Sequence, residues 1–536
     1  MRKRKLFIAI VLIGVTFSNA IAQSKYESPL VVDDFTKNKI KENIDTFIKN
    51  EGNVNKVSEN GSTTMLMTAV MTGETDTVKT LIKRGANVNQ KTVDGLTSLV
   101  LASMSGYKDI VELLINNGAN VNAKVIKDGN TFTSLRFAIT FGFDDISELL
   151  IKNGADVNEK YKNDTTVLMC AAAVGNINAV KLLVRNGVDV NAKDVYGFTV
   201  LMYAISENST ENREVVEFLI KNGADVSAKA VDGRTALDYA IHDGFNNIVE
   251  LLIQSGANVN NRDKKDFTPL INAAYVGNYD SAKLLIKRGA DVNAKNSFDV
   301  NALMVASGKG YCNIVELLIK NGANVNAKGA AGFTALIYAS IYGNLDIIKL
   351  LIKNGANVNA KNIEGYTALM YETYMVDTIN GESIDIIELL TKNGANINIK
   401  TKNGISPLMY AANEGRTDII EALVNGMTKR KIDYSDFIEL KNWDAVLLKP
   451  ENYLWKKIKI KASYEGIFKS GWDDTVRIIL SEGPPENFIE PKGLHFFCSN
   501  VADKIAEMER GKIKTFYGFV VKIKNDEPCL YIMAIK

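Results

Sequence analysis

Apolar residues recur along this chain in pairs of short blocks. In one such pair, Ala335-Leu-Ile-Tyr-Ala-Ser-Ile341 follows Thr334 and stops just before Gly343. A threonine hydroxyl caps helix N-termini, and glycine ends helices in a left-handed turn, so a short helix is predicted here. The second block, Leu345 to Lys353, places Ile347, Ile348, Leu350, Leu351 and Ile352 on one broad face, the mark of an amphipathic helix. Lys353 suits the negative end of that helix dipole, and Gly355 supplies the left-handed residue that stops the helix. Residues Ala356 to Gly365 are then left as an extended turn toward the next pair. Neither helix can hide its apolar face alone, so pairs must stack on one another.

The chain supplies the copies. The run Ile314 to Lys328 has close relatives ending at Lys91, Lys124, Lys160, Lys193, Lys229, Arg262, Lys295, Lys361 and Lys400. Successive copies lie 33 residues apart except for intervals of 36, 36 and 39. A fixed period of this size predicts a solenoid. Eleven full units can be counted, with cores at Thr64, Thr97, Thr133, Thr166, Thr199, Thr235, Thr268, Asn301, Thr334, Thr367 and Ser406. A half unit, Ile40 to Asn55, precedes them as an amino-terminal cap.

Turn, helix and helix with the phrase G-x-T-x-L…A…G…L-L-x-x-G-A-x-V-N resembles the ankyrin repeat family over roughly three quarters of the chain. The resemblance implies a mainly α fold and a curved, non-catalytic surface that binds proteins through turns and inner helices. One position departs from the family pattern, which has histidine after the conserved leucine. Here it holds Met67, Val100, Arg136, Met169, Met202, Asp238, Ile271, Met304, Ile337, Met370 and Met409, so apolar packing is expected to replace a polar tie. Insertions near Lys127–Asn130, Asn208–Asn212 and Val376–Glu382 are expected to form longer loops.

Two recurrent rows are candidate binding features. The residue before the core threonine is Phe132, Phe198, Phe267, Phe333 or Tyr366, and farther along the same helices come Phe141, Tyr275, Tyr342 and Tyr374. Aligned, these nine rings form an aromatic strip for a protein partner on the concave side; alternatively they pack half-buried against neighbouring turns. The second row is the basic residue ending each copy, from Lys91 to Lys400, read as a weak contact for an anionic surface or as a solvated row.

After Val424 the period stops. Residues 428–455 are expected to connect the array (23–427) to a small domain at 456–536. There, strand-like runs Lys457–Phe468, Thr475–Ser481, Gly493–Ser499, Thr515–Ile523 and Cys529–Ile535, with a helix-like Val501–Glu509, resemble an OB-fold barrel. Gly466 and Gly518 fall where barrel strands bend. Such barrels can stack nucleic-acid bases, but the bases of this segment are nearly cancelled by acids, so Trp472, Phe496, Phe497, Tyr517 and Phe519 are read as barrel filling.

Composition narrows the chemistry. The chain has 536 residues, a formal net charge of +2, four Cys and only two His, His242 and His495. Near-neutral charge argues against dominant nucleic-acid binding, and so few His and Cys argue against metal sites and a disulfide scaffold. A basic start (Met1-Arg-Lys-Arg-Lys5), apolar Leu6–Val15 and small residues Ala20-Ile-Ala22 describe a cleavable secretory signal, residues 1–22. The mature chain is accordingly expected to be a monomer, soluble in the periplasm or secreted. In that compartment Cys498 and Cys529, on neighbouring barrel strands, could bond; Cys170 and Cys312 lie too many units apart to do so. The competing enzymatic reading would use His495 and Cys498, with no further His or Cys nearby to complete a site. No phosphate-cradling glycine loop ends in Lys-Ser or Lys-Thr, and no cofactor is expected.

Overall fold

The computed structural model describes residues 63–92, 95–127, 130–205, 212–375 and 383–413, the positions 42, 44, 46, 53–56, 419, 422 and 423, and strands at 438–440, 457–469, 476–481, 513–522 and 528–535. Residues 1–22, the 493–499 and 501–509 runs, Cys498, and the insertions at 208–211 and 376–382 lie outside them. The chain divides into two compact units, Met1–Asn258 and Val259–Lys536.

In the first unit, helical hairpins are Met65–Thr72 with Thr75–Lys83, Ser98–Ser105 with Lys108–Asn116, Ser134–Thr140 with Asp144–Lys152, Val167–Ala173 with Ile177–Arg185, Val200–Tyr203 with Arg213–Lys221, and Ala236–His242 with Asn246–Gln254. The second unit continues the pattern with Pro269–Val276 and Tyr279–Lys287, Ala302–Lys309 and Cys312–Lys320, Ala335–Ile341 and Leu345–Lys353, Ala368–Met375 and Ser383–Lys392, then Pro407–Asn413. Most hairpins begin as the sequence predicts, with the capping side chain accepting the N–H three residues on. The Thr334 hydroxyl accepts the Ile337 N–H at 3.3 Å, and the same bond recurs from Thr64 to Met67 at 3.1 Å. Gly355 closes its helix at φ +84°.

Within each unit, the first helix of a hairpin packs on the next hairpin's first helix and on its own second helix. First helices approach closely because alanine stands five residues after the cap, for example Ala273, Ala306 and Ala339, all fully buried. The position that departs from the family pattern is filled as expected by buried apolar side chains such as Met67, Met169 and Ile337. Two units keep a polar tie. Buried Asp238 accepts both the N–H and the hydroxyl of Thr235 at 2.9 Å. Arg136 donates to the Thr131 carbonyl at 2.6 Å, with its guanidinium 4.6 Å from both the Phe132 and the Tyr161 ring.

Hairpins are joined by asparagine. Asn326 donates to the Gly355 carbonyl at 2.9 Å, and its own oxygen accepts the Asn357 N–H at 2.7 Å. Asn293 makes the same two bonds to Gly322 and Asn324, and in the first unit Asn89 makes them to Gly118 and Asn120. Asn55, in the expected amino-terminal half unit, ties to Gly85 and Asn87 in this way. The turn fingers are linked too: Val231 N–H donates to the Tyr196 carbonyl at 2.8 Å, and Ile363 N–H to the Ala331 carbonyl at 2.7 Å. The first insertion lengthens one finger into an antiparallel pair, β1 (Val125–Lys127) and β2 (Asn130–Phe132).

The second unit also holds a five-stranded sheet. Its strands are β3 (Ile438–Leu440), β4 (Lys457–Lys469), β5 (Val476–Ser481), β6 (Ile513–Lys522) and β7 (Pro528–Ile535). Antiparallel pairings join β4 to β5 and to β6, and β6 to β7, while β3 lies parallel to β4. The register shifts at Tyr464/Gly466 and at Tyr517/Gly518, the two glycines expected to bend strands. Part of the connecting segment, residues 438–440, is strand β3. Among the described residues no pairing closes the sheet, and the expected third strand at 493–499, which a barrel needs, lies outside them.

Candidate partner-binding surface

Phe333, before the capping Thr334, is extended, and the helix that follows turns its fourth residue, Tyr338, back over it; Tyr366 and Tyr371 repeat the arrangement. Aromatics at these two places therefore meet. Phe333 lies 5.6 Å from Tyr338, and Tyr366 lies 5.4 Å from Tyr371, centroid to centroid. Each also reaches the next hairpin, Phe333 to Tyr371 at 6.0 Å and Tyr366 to Tyr410 at 6.2 Å. Tyr374 meets Tyr410 edge-on at 5.6 Å, and the hydroxyls of Tyr366 and Tyr410 share a hydrogen bond of 2.7 Å. Six rings thus form one continuous row in the second unit: Tyr338, Phe333, Tyr371, Tyr366, Tyr410 and Tyr374. Burial raises the phenol pKa of Tyr338, Tyr371 and Tyr410, so their hydroxyls stay protonated as donors.

The nine expected rings divide by exposure. Phe132, Phe198, Phe267, Phe333 and Tyr366 are half-buried, and so is Phe141. Tyr275, Tyr342 and Tyr374 are exposed, at 48%, 56% and 59%. Tyr342 lies over Gly308, where a Cβ would come within 3.3 Å of its ring, and Lys309 Nζ stands 4.5 Å from the Tyr275 centroid. In the first unit the rings form separate groups. One is Phe132–Phe137–Phe141–Phe143, with centroid steps of 5.4, 6.2 and 6.4 Å. The other centres on Phe198, beside Tyr203 at 6.2 Å and Tyr239 at 5.1 Å. The rings pack against neighbouring turns, as one sequence alternative has it, and also leave faces in solvent.

Sequence reasoning missed the inner partners Phe137, Tyr203, Tyr239, Tyr338, Tyr371 and Tyr410. Their signal is the spacing F/Y-T-x-x-x-Y/F, visible at 333–338 and 366–371. It missed also the exposed apolar finger tips, among them Ile126, Val231, Phe298 and Ile363.

Five of the ten residues of the basic row make contacts within the stack. Lys193, Arg262 and Lys295 donate to the carbonyls of Lys229, Lys295 and Lys328, the equivalent residues one hairpin on. Lys124 pairs with buried Glu159, and Lys160 lies 3.6 Å from Asp164. These cations serve as straps between fingers more than as an open anionic docking row.

Chemical groups are sparse. Cys170 and Cys312 are free thiols, and burial pushes both up in pKa, away from nucleophilic thiolate character. His242 is exposed. Among the described residues no cluster of His, Cys, Asp and Glu could hold a metal, and no helix is long and apolar enough to cross a membrane. His495 and Cys498, and with them any bond to Cys529, lie outside the described residues.

No curated protein matches the chain. The family model for ankyrin repeats (3 copies) matches residues 35–125, 135–230, 211–296, 303–375 and 374–443, and stops short of strands β4 to β7. Hairpins capped by threonine, stacked on alanine and joined finger to finger over that same span carry the same conclusion: this chain belongs to the ankyrin repeat family.

Proposed function

We propose that this protein is a non-enzymatic scaffold that holds a protein partner on the side formed by its first helices and turn fingers. Ankyrin repeats generally mediate protein–protein interaction, which supports the class of function. One observation carries the location: the six-ring row from Tyr338 to Tyr374, with Tyr342 beside it. Aromatic side chains present about 150–250 Å² each. Covering the open half of Tyr342 and of Tyr374 would remove about 100 Å² apiece from water, about 2.5 kcal/mol each. The protonated hydroxyls fix the partner's register by hydrogen bonds, and packing of each ring on the next lowers the entropy lost on binding. The basic, apolar and small-residue order of residues 1–22 supports an exported mature chain, working in the periplasm or outside the cell. The sheet of β4 to β7 is read as a second binding or capping module.

The test is a pull-down with the mature chain, followed by calorimetry on the captured protein. Tyr342→Ala and Tyr374→Ala should each weaken binding by about 10- to 100-fold with the helical signal unchanged. Retention of full affinity by the double variant would remove the ring row from the interface.

A further inference from the structure

One carboxyl stands where the stack has room only for a methyl group. Five residues after the cap, ten units carry a fully buried alanine, in a series running from Ala69 to Ala411. The Thr367 unit carries Glu372 instead, 2% exposed, with Oε1 lacking a hydrogen-bond partner among the described residues. The Ser383 hydroxyl, at the start of the second helix of the same hairpin, hydrogen-bonds to its carboxyl group. Burial pushes the Glu372 carboxyl up to about 9, and the Ser383 hydrogen bond offsets only part of that.

Among the described residues the surrounding elements supply no counter-charge. Tyr338 on Ala335–Ile341 and Tyr410 on Pro407–Asn413 are phenols held protonated by burial. On Ser383–Lys392, Asp385 is exposed and Lys392 bridges to Glu388 at 2.9 Å. Among the described residues no cation pairs with the carboxylate once formed, and the start of the Ser383 helix offsets only part of its burial. Its neighbours along the helix, Tyr371 and Tyr374, belong to the ring row.

We propose that Glu372 is a proton-dependent latch: neutral, it packs in the place of the other units' alanine, and on losing its proton it opens the hairpin Ala368–Met375/Ser383–Lys392. An acid whose pKa is raised on folding binds its proton more tightly folded than unfolded. The hairpin is therefore fully stable below the unfolded value of about 4.3, and loses stability as pH rises toward the folded value. Opening displaces Tyr371 and Tyr374, so the ring row disbands with it. That this also releases a partner rests on the proposed function; the opening itself does not.

Amide hydrogen exchange on the whole chain at pH 6, 7.5 and 9 tests the latch, with rates corrected for intrinsic exchange. Protection of amides in 368–375 and 383–392 should fall about tenfold per pH unit, while that of Ala302–Lys309 stays level. Glu372→Gln, a neutral mimic, and Glu372→Ala, which restores the common residue, should both hold protection level across the range. Level protection in the unsubstituted protein, or an equal fall in both variants, would overturn the latch. Partner affinity measured at the same pH values separates the two readings, because exchange can respond to pH even where the ring row binds nothing.

Discussion

Consider alanine in place of Gly197, at the tip of a turn finger in the first unit. Gly197 sits at φ +76°, a region that costs an L-residue roughly 1–2 kcal/mol. An added Cβ would also stand 2.9 Å from Val231 N and 3.1 Å from Ala230 Cα. Those are backbone atoms of the next finger and cannot rotate aside. The fingers must part, and the 2.8 Å bond from Val231 N–H to the Tyr196 carbonyl is lost, worth about 1 kcal/mol net. Gly187 is the control: its φ is +79°, yet nothing lies within 4 Å of its Cβ position. Gly187→Ala should then cost about 1–2 kcal/mol from backbone strain alone, and Gly197→Ala about 2–3 kcal/mol. Both variants stiffen the unfolded chain equally, so that term drops from the comparison. Urea titration followed by circular dichroism gives the two costs, and exchange at the Val231 amide reports the finger bond directly. Equal costs, or an unchanged Val231 amide in Gly197→Ala, would refute the crowding argument. Gly365→Ala repeats the experiment in the second unit, where a Cβ meets Thr401 Cα at 3.0 Å and Lys402 N at 3.2 Å.

Other outcomes follow from the same contacts. Asp238→Ala should destabilise by about 2–3 kcal/mol in thermal or urea melts, because the buried Thr235 N–H and hydroxyl lose a charged acceptor. Asn326→Ala should cost about 1–2 kcal/mol for its two joint bonds, with exchange faster on both sides of the Gly355 turn. On the proposed function, in which rings rather than cations form the contact, raising salt from about 0.05 to 0.3 M should change partner affinity by less than about threefold. A steep salt dependence would return the Lys row to the interface.

The fold was legible because its determinants are local. Thr334, Gly343, Gly355 and the Ile347–Ile352 face each state a cap, a stop or a buried side within a few residues. Four of the five expected strand runs of the last domain fall within two residues of β4, β5, β6 and β7 for the same reason, pleated alternation being a short-range signal. The fifth, Gly493–Ser499, lies outside the described residues, and β3 was not expected. What the sequence withheld depends on the distance between hairpins. That Lys295 reaches the Lys328 carbonyl, or that Tyr366 touches Tyr410, follows only once the stacking distance is known. Tyr338 and Tyr371 were present as a repeated spacing but read as ordinary helix residues. Glu372 stands in register with ten alanines, yet only the packed hairpin shows that it is buried with no cation beside it among the described residues.

The asparagine joint bears on how such a chain changes length. Excising residues 294–326 would splice Asn293 directly to Ala327, leaving an identical residue facing the Gly355 turn. The seam is chemically the same before and after, so whole periods can be duplicated or dropped without inventing a new junction. Register, not sequence novelty, is what such an edit must respect.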